Sequence, residues 1–411
     1  MKNARDVVIT GMGVISPVGT SITGLLEYLE TCRSGIRQWE SHYLTRKFPA
    51  ATIPQSFEAD FKRIELPYLD RCAQIAILAA RQAITDAGLD TFEHEGPRAG
   101  LYFGSARAGT ASEERWFEEL LLEHRQTAKP FAVFSIMHNA PAAHISIRHQ
   151  ILGPVMTHSS ACTSSGCAIG DGYRQIRDGY VDVAIAGGAE APITASVLGA
   201  WDGTRAIATI DPEDVGLSCR PFSNKRTGLV MGEGAAFIVM ESRERAERRG
   251  ARIHGRLAGY GVASDGYHIG SPKMTGQAEA MSLALADAGM APDEIGYYNA
   301  HATATKGGDA IEAQAMRLAF GAAADRIPVS STKSIHGHLL GAASVLELII
   351  STLSIQHQMI PATLGLEDID PECSLHHVPN TPLRGYPIRS AMSFSSGLGG
   401  TNTALIVAKD L

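Results

Sequence analysis

Cys162 stands in the run Met156-Thr-His-Ser-Ser-Ala-Cys-Thr-Ser-Ser-Gly-Cys167. Pro154 to Thr157 suit a short strand, Ser159 and Ser160 a turn, and the small residues from Thr163 a helix reaching about Arg177. The thiol is therefore predicted at a strand-to-helix corner. Unpaired N–H groups at a helix N-terminus favour thiolate, which is the nucleophilic form. The small neighbours leave room for a bulky acyl substrate. Cys167, one turn into the same helix, reads as an inert packed thiol.

Three further turns carry groups that complement a nucleophile. Tyr298-Asn-Ala-His301-Ala-Thr303-Ala-Thr305 leads on to Asp309 and Glu312, and places a histidine at a strand end, where sites assemble in α/β sheets. Pro328-Val-Ser-Ser-Thr-Lys333-Ser-Ile-His336-Gly-His338 runs from strand to turn to helix and delivers a lysine with two histidines. Ser390-Ala-Met-Ser-Phe-Ser-Ser396-Gly-Leu398-Gly-Gly-Thr-Asn402 is a glycine-rich turn between strands, whose backbone N–H groups suit an oxyanion. A lone histidine is more commonly a satisfied structural residue than a catalyst; two histidine-bearing turns beside one cysteine corner point to a shared site.

Other motifs fail on their own terms. Gly11-Met-Gly13-Val-Ile-Ser16 follows a strand, but Ser16 replaces the third glycine of a dinucleotide fingerprint and no acidic residue ends a second strand. Those glycines are expected to turn the backbone tightly beneath a sheet. His336, His338, His376 and His377 lack the further ligands at the spacing a zinc site needs, so no metal is expected. There is no phosphate-binding lysine loop and no Gly-x-Ser-x-Gly elbow.

The elements that must position these turns alternate along the chain as an α/β protein requires. Short apolar runs at Val7–Ile9, Leu101–Phe103, Val181–Ala186, Tyr297–Ala300 and Ala404–Ala408 read as strands. Arg71 to Ala87 has helical spacing and closes on Gly88; Gln277 to Ala288 closes on Gly289. The phrase Ile-Thr-Asp-Ala-Gly-Leu-Asp at 84–90 is echoed by Leu-Ala-Asp-Ala-Gly-Met-Ala at 285–291, which suggests an internal duplication. The charge-dense stretch 241–250 reads as a solvated helix of Glu/Arg pairs and marks the boundary between halves 1–250 and 251–411.

At 411 residues the chain has two to three domains' worth of core at roughly 150 residues per domain. Lys and Arg number 36 against 43 Asp and Glu, a net charge of −7, so no global positive field recruits nucleic acid or an anionic membrane. Leu339 to Ile350 is interrupted by Ser344 and Glu347 and reads as a buried helix, not a span. The first ten residues lack a signal-peptide core, and six scattered cysteines form no framework, so cytoplasmic residence with free thiols is expected.

In this order the four turns resemble the β-ketoacyl-acyl-carrier-protein synthases of the thiolase superfamily, most closely the synthase II type and type II polyketide ketosynthases. The resemblance extends from Val-Val-Ile-Thr-Gly-Met-Gly-Val-Ile-Ser-Pro near the start, through Val183–Ala191 and Arg220–Glu241, to the terminal Gly-Leu-Gly-Gly-Thr-Asn-Thr. It implies a duplicated αβαβα sandwich with two five-stranded mixed sheets. It also implies Cys162 as nucleophile, His301 and His338 as the paired histidines, and Lys333 and Glu312 as groups that fix histidine tautomers and local charge. The implied oxyanion donors are the N–H groups of Cys162 and Leu398, and the implied substrate contacts Thr303, Thr305, Ser396, Leu398 and Arg205.

The activity implied is decarboxylative condensation of a cysteine-bound acyl chain with malonyl-acyl-carrier protein, in fatty-acid, polyene or polyketide synthesis, with no cofactor. The implied partners are acyl- and malonyl-loaded carrier protein and a second subunit, identical or related. A non-catalytic chain-length subunit and a coenzyme A-dependent thiolase are the alternatives; the cysteine and both histidines argue against the first, and two histidines in place of a histidine and second cysteine against the other. Lys62, Arg63 and Arg205 are candidates for docking an acidic carrier. Two departures stand out. Ala302 occupies a usual glycine position, and Ser396 and Leu398 replace a phenylalanine pair that gates the acyl pocket, so a wider, partly polar mouth is expected.

Overall fold

The computed structural model describes residues 4–127 and 130–410. Its main sheet is built from β1 (Val7–Ile15), β2 (Ala99–Gly104), β3 (Val155–His158), β4 (Val183–Glu190), β5 (Gly234–Ser242), β6 (Gly255–Ser264), β7 (Tyr297–Asn299), β8 (Val329–Ser330), β9 (Ser390–Ser396) and β10 (Thr401–Ala408). The helices that pack on it are α1 (Arg71–Asp86), α2 (Ala140–His149), α3 (Ser164–Arg177), α4 (Met274–Ala288), α5 (Lys306–Phe320) and α6 (Ala343–His357). Taking only these strands and helices, and leaving aside the remaining helices and the strands of two small sheets, the chain runs β-α-β-α-β-α-β-β twice.

Strand pairing repeats with the connectivity. β3, β2 and β4 are parallel, while β4–β5 and β5–β1 are antiparallel; β8, β7 and β9 are parallel, while β9–β10 and β10–β6 are antiparallel. The expectation of two separate five-stranded sheets needs correction. β1 and β6 pair through Val8–Arg256 and Ile9–Gly255, which joins the two sets edge to edge in one ten-stranded order, β8-β7-β9-β10-β6-β1-β5-β4-β2-β3. The seam is only these two residue pairs long.

Helix-on-sheet contact explains the early glycines, which lie inside β1 and not in a turn. A Cβ on Gly11 would stand 2.1 Å from the Ala83 carbonyl oxygen of α1, and one on Gly13 2.1 Å from that of Ala79. The second half repeats the device. A Cβ on Gly259 would stand 2.4 Å from the Ala284 oxygen of α4, and one on Gly261 2.0 Å from that of Ala280. The Ala/Gly pairing lets each helix lie directly on its strand. The echoed phrases end these two helices, with Gly88 and Gly289 in left-handed conformations at φ +69° and +63°.

α3 and α6 lie in the middle of the molecule. Residues Ala343 to Ile355 of α6 are all buried. The span Leu340–His357 is long and apolar enough to cross a membrane by composition, at a mean hydropathy of 1.3, but 89% of it is buried inside the protein. It is a core helix, as the sequence suggests. The stretch 241–250 is less solvated than expected: Glu241 ends β5 fully buried and accepts hydrogen bonds from Thr10 Oγ1 at 2.5 Å and Arg249 Nε at 2.9 Å, with Arg245 also paired to it. Only Arg243–Arg248 is helical.

Candidate active site

The corner after β3 is tied by its own hydroxyls. Thr163 Oγ1 donates to the Ser160 carbonyl at 2.7 Å, Ser164 Oγ to the Ala161 carbonyl at 2.6 Å, and the Ser160 N–H donates to Ser164 Oγ at 2.9 Å. Ala161 is held at φ +53°, a strained conformation for a residue with a Cβ, and Cys162 follows in a 3-10 turn that feeds α3. The thiol is thus presented at the helix N-terminus as the small-residue run implies.

Both histidines reach it from the second half. His338 is held by backbone: its N–H donates to the Val230 carbonyl at 2.7 Å and its carbonyl accepts from the Gly232 N–H at 2.8 Å. Its Nε2 lies 3.0 Å from the Cys162 sulfur. His301 follows β7, with its ring centroid 5.3 Å from that of His338 and the planes at 84°. One ligand atom from each of Cys162, His301 and His338 falls within 4.8 Å of the others, a convergence that linear spacing does not display. The types also suit Zn²⁺, although the nearby Lys333 ammonium opposes a cation.

Burial dominates the electrostatics. It pushes the Cys162 thiol up to about 12, against the pull of Lys333 and of a hydrogen bond from the Leu398 N–H. Burial thus favours the neutral thiol, in opposition to the helix terminus, which favours thiolate. Burial, and then the Lys333 charge, hold both imidazoles well below the ordinary histidine range, so both are neutral.

Lys333 and Glu312 do not touch the imidazole nitrogens. The Nδ1 atoms of His301 and His338 have no hydrogen-bond partner among the described residues. Glu312 holds the backbone of the turn instead, accepting from the N–H groups of His301 at 2.8 Å and Ala302 at 2.7 Å and from the Tyr298 hydroxyl at 3.1 Å. Lys333 is paired with Glu347 of α6, and both side chains are fully buried. Burial pushes the carboxyls of Glu312 and Glu347 up to about 7.

Ala302 itself is unstrained; the left-handed residue of the turn is Ala304, at φ +64°. The Ala302 carbonyl accepts from Ser331 Oγ at 2.7 Å.

The turn between β9 and β10 closes the site. Gly399 and Gly400 take φ +92° and +85°, and the Gly397 N–H donates to the Thr401 carbonyl at 2.8 Å, which leaves the Leu398 N–H turned to the Cys162 sulfur. The Leu398 side chain is 50% exposed. A cavity of about 560 Å³ is lined by Cys162, His301, His338, Thr303, Thr305, Ser396 and Leu398 together. On one side Cys162 packs in an apolar cluster with Phe48, Val197, Leu229, Met231 and Leu340.

Arg205 is exposed beside Ala206, which lines the cavity. Lys62 and Arg63 are exposed too, but Arg63 lines a different cavity, with Asp70 and Trp116. His336, His376 and His377 bond to Thr332 Oγ1 and to the carbonyls of Arg326 and Cys373 respectively, as structural histidines do.

Two carboxylates that sequence reasoning passed over also matter. Glu347 is the lone acid in a buried apolar helix, which was signal enough for a buried cation partner. Glu190, fully buried at the end of β4, accepts from the Gly341 N–H at 3.2 Å and from Ala106, and so ties the turn after His338 to the exit of β2.

Residues 4–246 match the family model "Beta-ketoacyl synthase, N-terminal domain", and residues 254–367 match "Beta-ketoacyl synthase, C-terminal domain". The chain is 38% identical over 404 residues to Nodulation protein E of Rhizobium meliloti (strain 1021), covering 98% of each. It is 37% identical over 414 residues to 3-oxoacyl-[acyl-carrier-protein] synthase 2 of Staphylococcus aureus (strain COL), covering 100% of this chain and 99% of that one. Among solved structures, a type II polyketide ketosynthase in complex with its acyl-carrier protein and bound to the hexaketide superposes with a TM-score of 0.91 at 27% identity, covering 99% of this chain and 100% of that one. The ishigamide ketosynthase/chain length factor superposes equally well, with a TM-score of 0.91 at 31% identity and the same coverage.

Proposed function

Because the chain belongs to the β-ketoacyl synthase family, we propose that Cys162, His301 and His338 are the groups through which it performs decarboxylative condensation. The reaction joins a cysteine-bound acyl chain to malonyl-acyl-carrier protein and yields a 3-oxoacyl-acyl-carrier protein, in fatty-acid or polyketide synthesis. The observation that carries the assignment of roles is the 3.0 Å contact between the Cys162 sulfur and His338 Nε2 in a cavity shared with His301. The half 1–250 supplies the nucleophile and the half 251–411 supplies both histidines.

In acyl transfer the Cys162 sulfur attacks the thioester carbonyl, and its proton passes to His338 Nε2, the base in contact with it. Because burial favours the neutral thiol, deprotonation accompanies attack. The oxyanion collects at the N–H groups of Cys162 and Leu398. The proton then leaves His338 with the departing carrier thiolate. In the second half-reaction the malonyl carbon–carbon bond breaks, CO₂ leaves, and the electron pair becomes an enolate. His338, freed from the sulfur and after tautomer exchange, joins His301 in presenting an imidazole N–H to the enolate oxygen. The enolate carbon attacks the acyl carbonyl, the carbon–sulfur bond breaks, and the Cys162 thiolate takes up a proton from solvent, the one proton the net reaction consumes. Burial, reinforced by the Lys333 charge, keeps both imidazoles neutral, so that each acts as a donor without becoming a competing cation.

Thr303, Thr305, Ser396 and Leu398 are the proposed substrate contacts, with Arg205 at the entrance for an acidic carrier. The outer edge of β3 is unpaired among the described residues, and Phe117, Leu121, Leu122, Val155 and Met156 are exposed. These features support a second subunit, identical or related. Six unbridged cysteines support a reducing, cytoplasmic setting.

Cys162→Ala is expected to abolish acylation and condensation. His301→Ala and His338→Ala are expected to leave acylation detectable by intact mass and to lower condensation about 10²–10³-fold, the usual loss when one stabilising donor is removed. Near-parental condensation in any of the three variants would falsify the roles assigned here.

A further inference from the structure

Condensation leaves unused a polar pair beside the turn that carries Leu398. Gln277, in the first turn of α4, is 2% exposed and lines the cavity together with Ser396. Its Nε2 donates to Ser396 Oγ at 3.2 Å, and its Oε1 is buried with no partner among the described residues. Accepting that bond leaves the Ser396 hydroxyl hydrogen free to donate. Across the cavity, on the side of Cys162, the packing is apolar, with Phe48, Val197, Leu229, Met231 and Leu340.

A buried amide oxygen without a donor penalises a ligand that cannot supply one and rewards a ligand that can. Turning the amide over exchanges its oxygen and nitrogen and still leaves one atom unpaired. A hydroxyl group both donates and accepts, so it satisfies the pair in either orientation; a ketone or an amide N–H satisfies only one. The pair is also adjacent to Leu398, whose N–H bonds the sulfur that takes the acyl group. The nearest part of the substrate is therefore the acyl chain on Cys162.

We propose that Gln277 and Ser396 form a specificity subsite for a hydroxyl group on the acyl chain delivered to Cys162. The enzyme then extends a hydroxylated chain in preference to the saturated chain of equal length. This rests on the reading of Cys162 as the acyl acceptor.

The test is a competition among acyl-carrier thioesters of one chain length, unsubstituted or bearing a single hydroxyl at successive carbons. Acyl-Cys162 is read by intact mass and condensation product by chromatography. At least one hydroxylated member is expected to outcompete the unsubstituted chain by about tenfold, the equivalent of about 1.4 kcal/mol. Gln277→Met, which keeps the volume and removes both polar atoms, is expected to bring that ratio to within about twofold. Ser396→Ala removes one oxygen from a turn residue; it is expected to lower the ratio several-fold and carries the test if Gln277→Met fails to fold. The subsite is overturned if no hydroxyl position is preferred by the parent, or if the preference survives in the folded variants. Failure of every acyl group to reach Cys162 would instead overturn the reading of the nucleophile, an outcome distinct from transfer without discrimination.

Discussion

Lys333 and Glu347 sit in the core with neither side chain exposed, so each is tolerable only because of the other. Lys333→Ala is expected to destabilise the protein by about 3–5 kcal/mol by leaving a buried carboxylate alone, whereas Lys333→Met with Glu347→Leu is expected to lie close to the parent in stability. Urea unfolding of the single and double variants measures the difference, and equal losses in both would remove the pair from the account. The double variant is nonetheless expected to condense less well than the parent, because the Lys333 share of the field on the two imidazoles is gone, while burial, the larger cause, still holds them neutral. His336 offers a second measurement. Burial lowers it to about 3 from an unfolded value near 6.5, so the stability held by its neutral form is fully present above about pH 6.5 and is lost as pH falls toward 3. At pH 4.5 the gap of two units is worth about 3 kcal/mol. His336→Gln is therefore expected to lose about that much less stability than the parent between pH 7 and 4.5; parallel losses in the two proteins would contradict the burial argument. The convergence of Cys162, His301 and His338 was legible in sequence because strand ends in α/β sheets converge. Glu347 signalled a buried cation, but that the cation is Lys333 was not legible, since a fourteen-residue separation along the chain gives no local sign that α6 passes beside the turn.

Among the elements, the close approach of α1 to β1 and of α4 to β6 depends on glycines facing helix carbonyl oxygens at about van der Waals overlap. Gly13→Ala and Gly261→Ala place a Cβ 2.1 and 2.0 Å from backbone that has no flexible end to give way. Each is expected to cost about 3 kcal/mol or more, and by similar amounts, because the two sites are copies of one contact. Thermal melts of the two variants test this, and an unaffected midpoint in either one would show that the helix can slide. The duplication was visible in the echoed phrases that end α1 and α4. The role of Gly11 and Gly13 was misread as a turn because glycine spacing alone does not distinguish a tight bend from a strand pressed against a helix. The joined ten-stranded sheet also lay beyond sequence: nothing in Val8-Ile9 or Gly255-Arg256 marks them as a seam.

At the scale of the whole molecule, a net charge of −7 opposes an acidic carrier, so the proposed docking would have to use local cations near the cavity. Arg205 is exposed beside the mouth, and Arg205→Glu is expected to raise KM for carrier-bound substrates several-fold at low salt and less at high salt, with kcat nearly unchanged. A salt-independent change would place its effect elsewhere. Steady-state kinetics with carrier-bound and carrier-free thioesters separates docking from chemistry. The two halves are bound together far more firmly than their strand seam suggests. The α3 residue Gly166 lies against Ser344 of α6, the Val345 N–H donates to Ser165 Oγ at 3.2 Å, and the two central helices thus fill one another's core. Neither half owns a finished interior. Opening one half exposes the other half's central helix, so native-state hydrogen exchange in α3 and α6 should proceed through a single global event at equal free energy. During synthesis the first half emerges with the groove meant for α6 still empty. Its exposure lasts until the ribosome delivers Leu340–His357, a stretch as apolar as a membrane span, and the window between those two moments is where a holding chaperone would matter most.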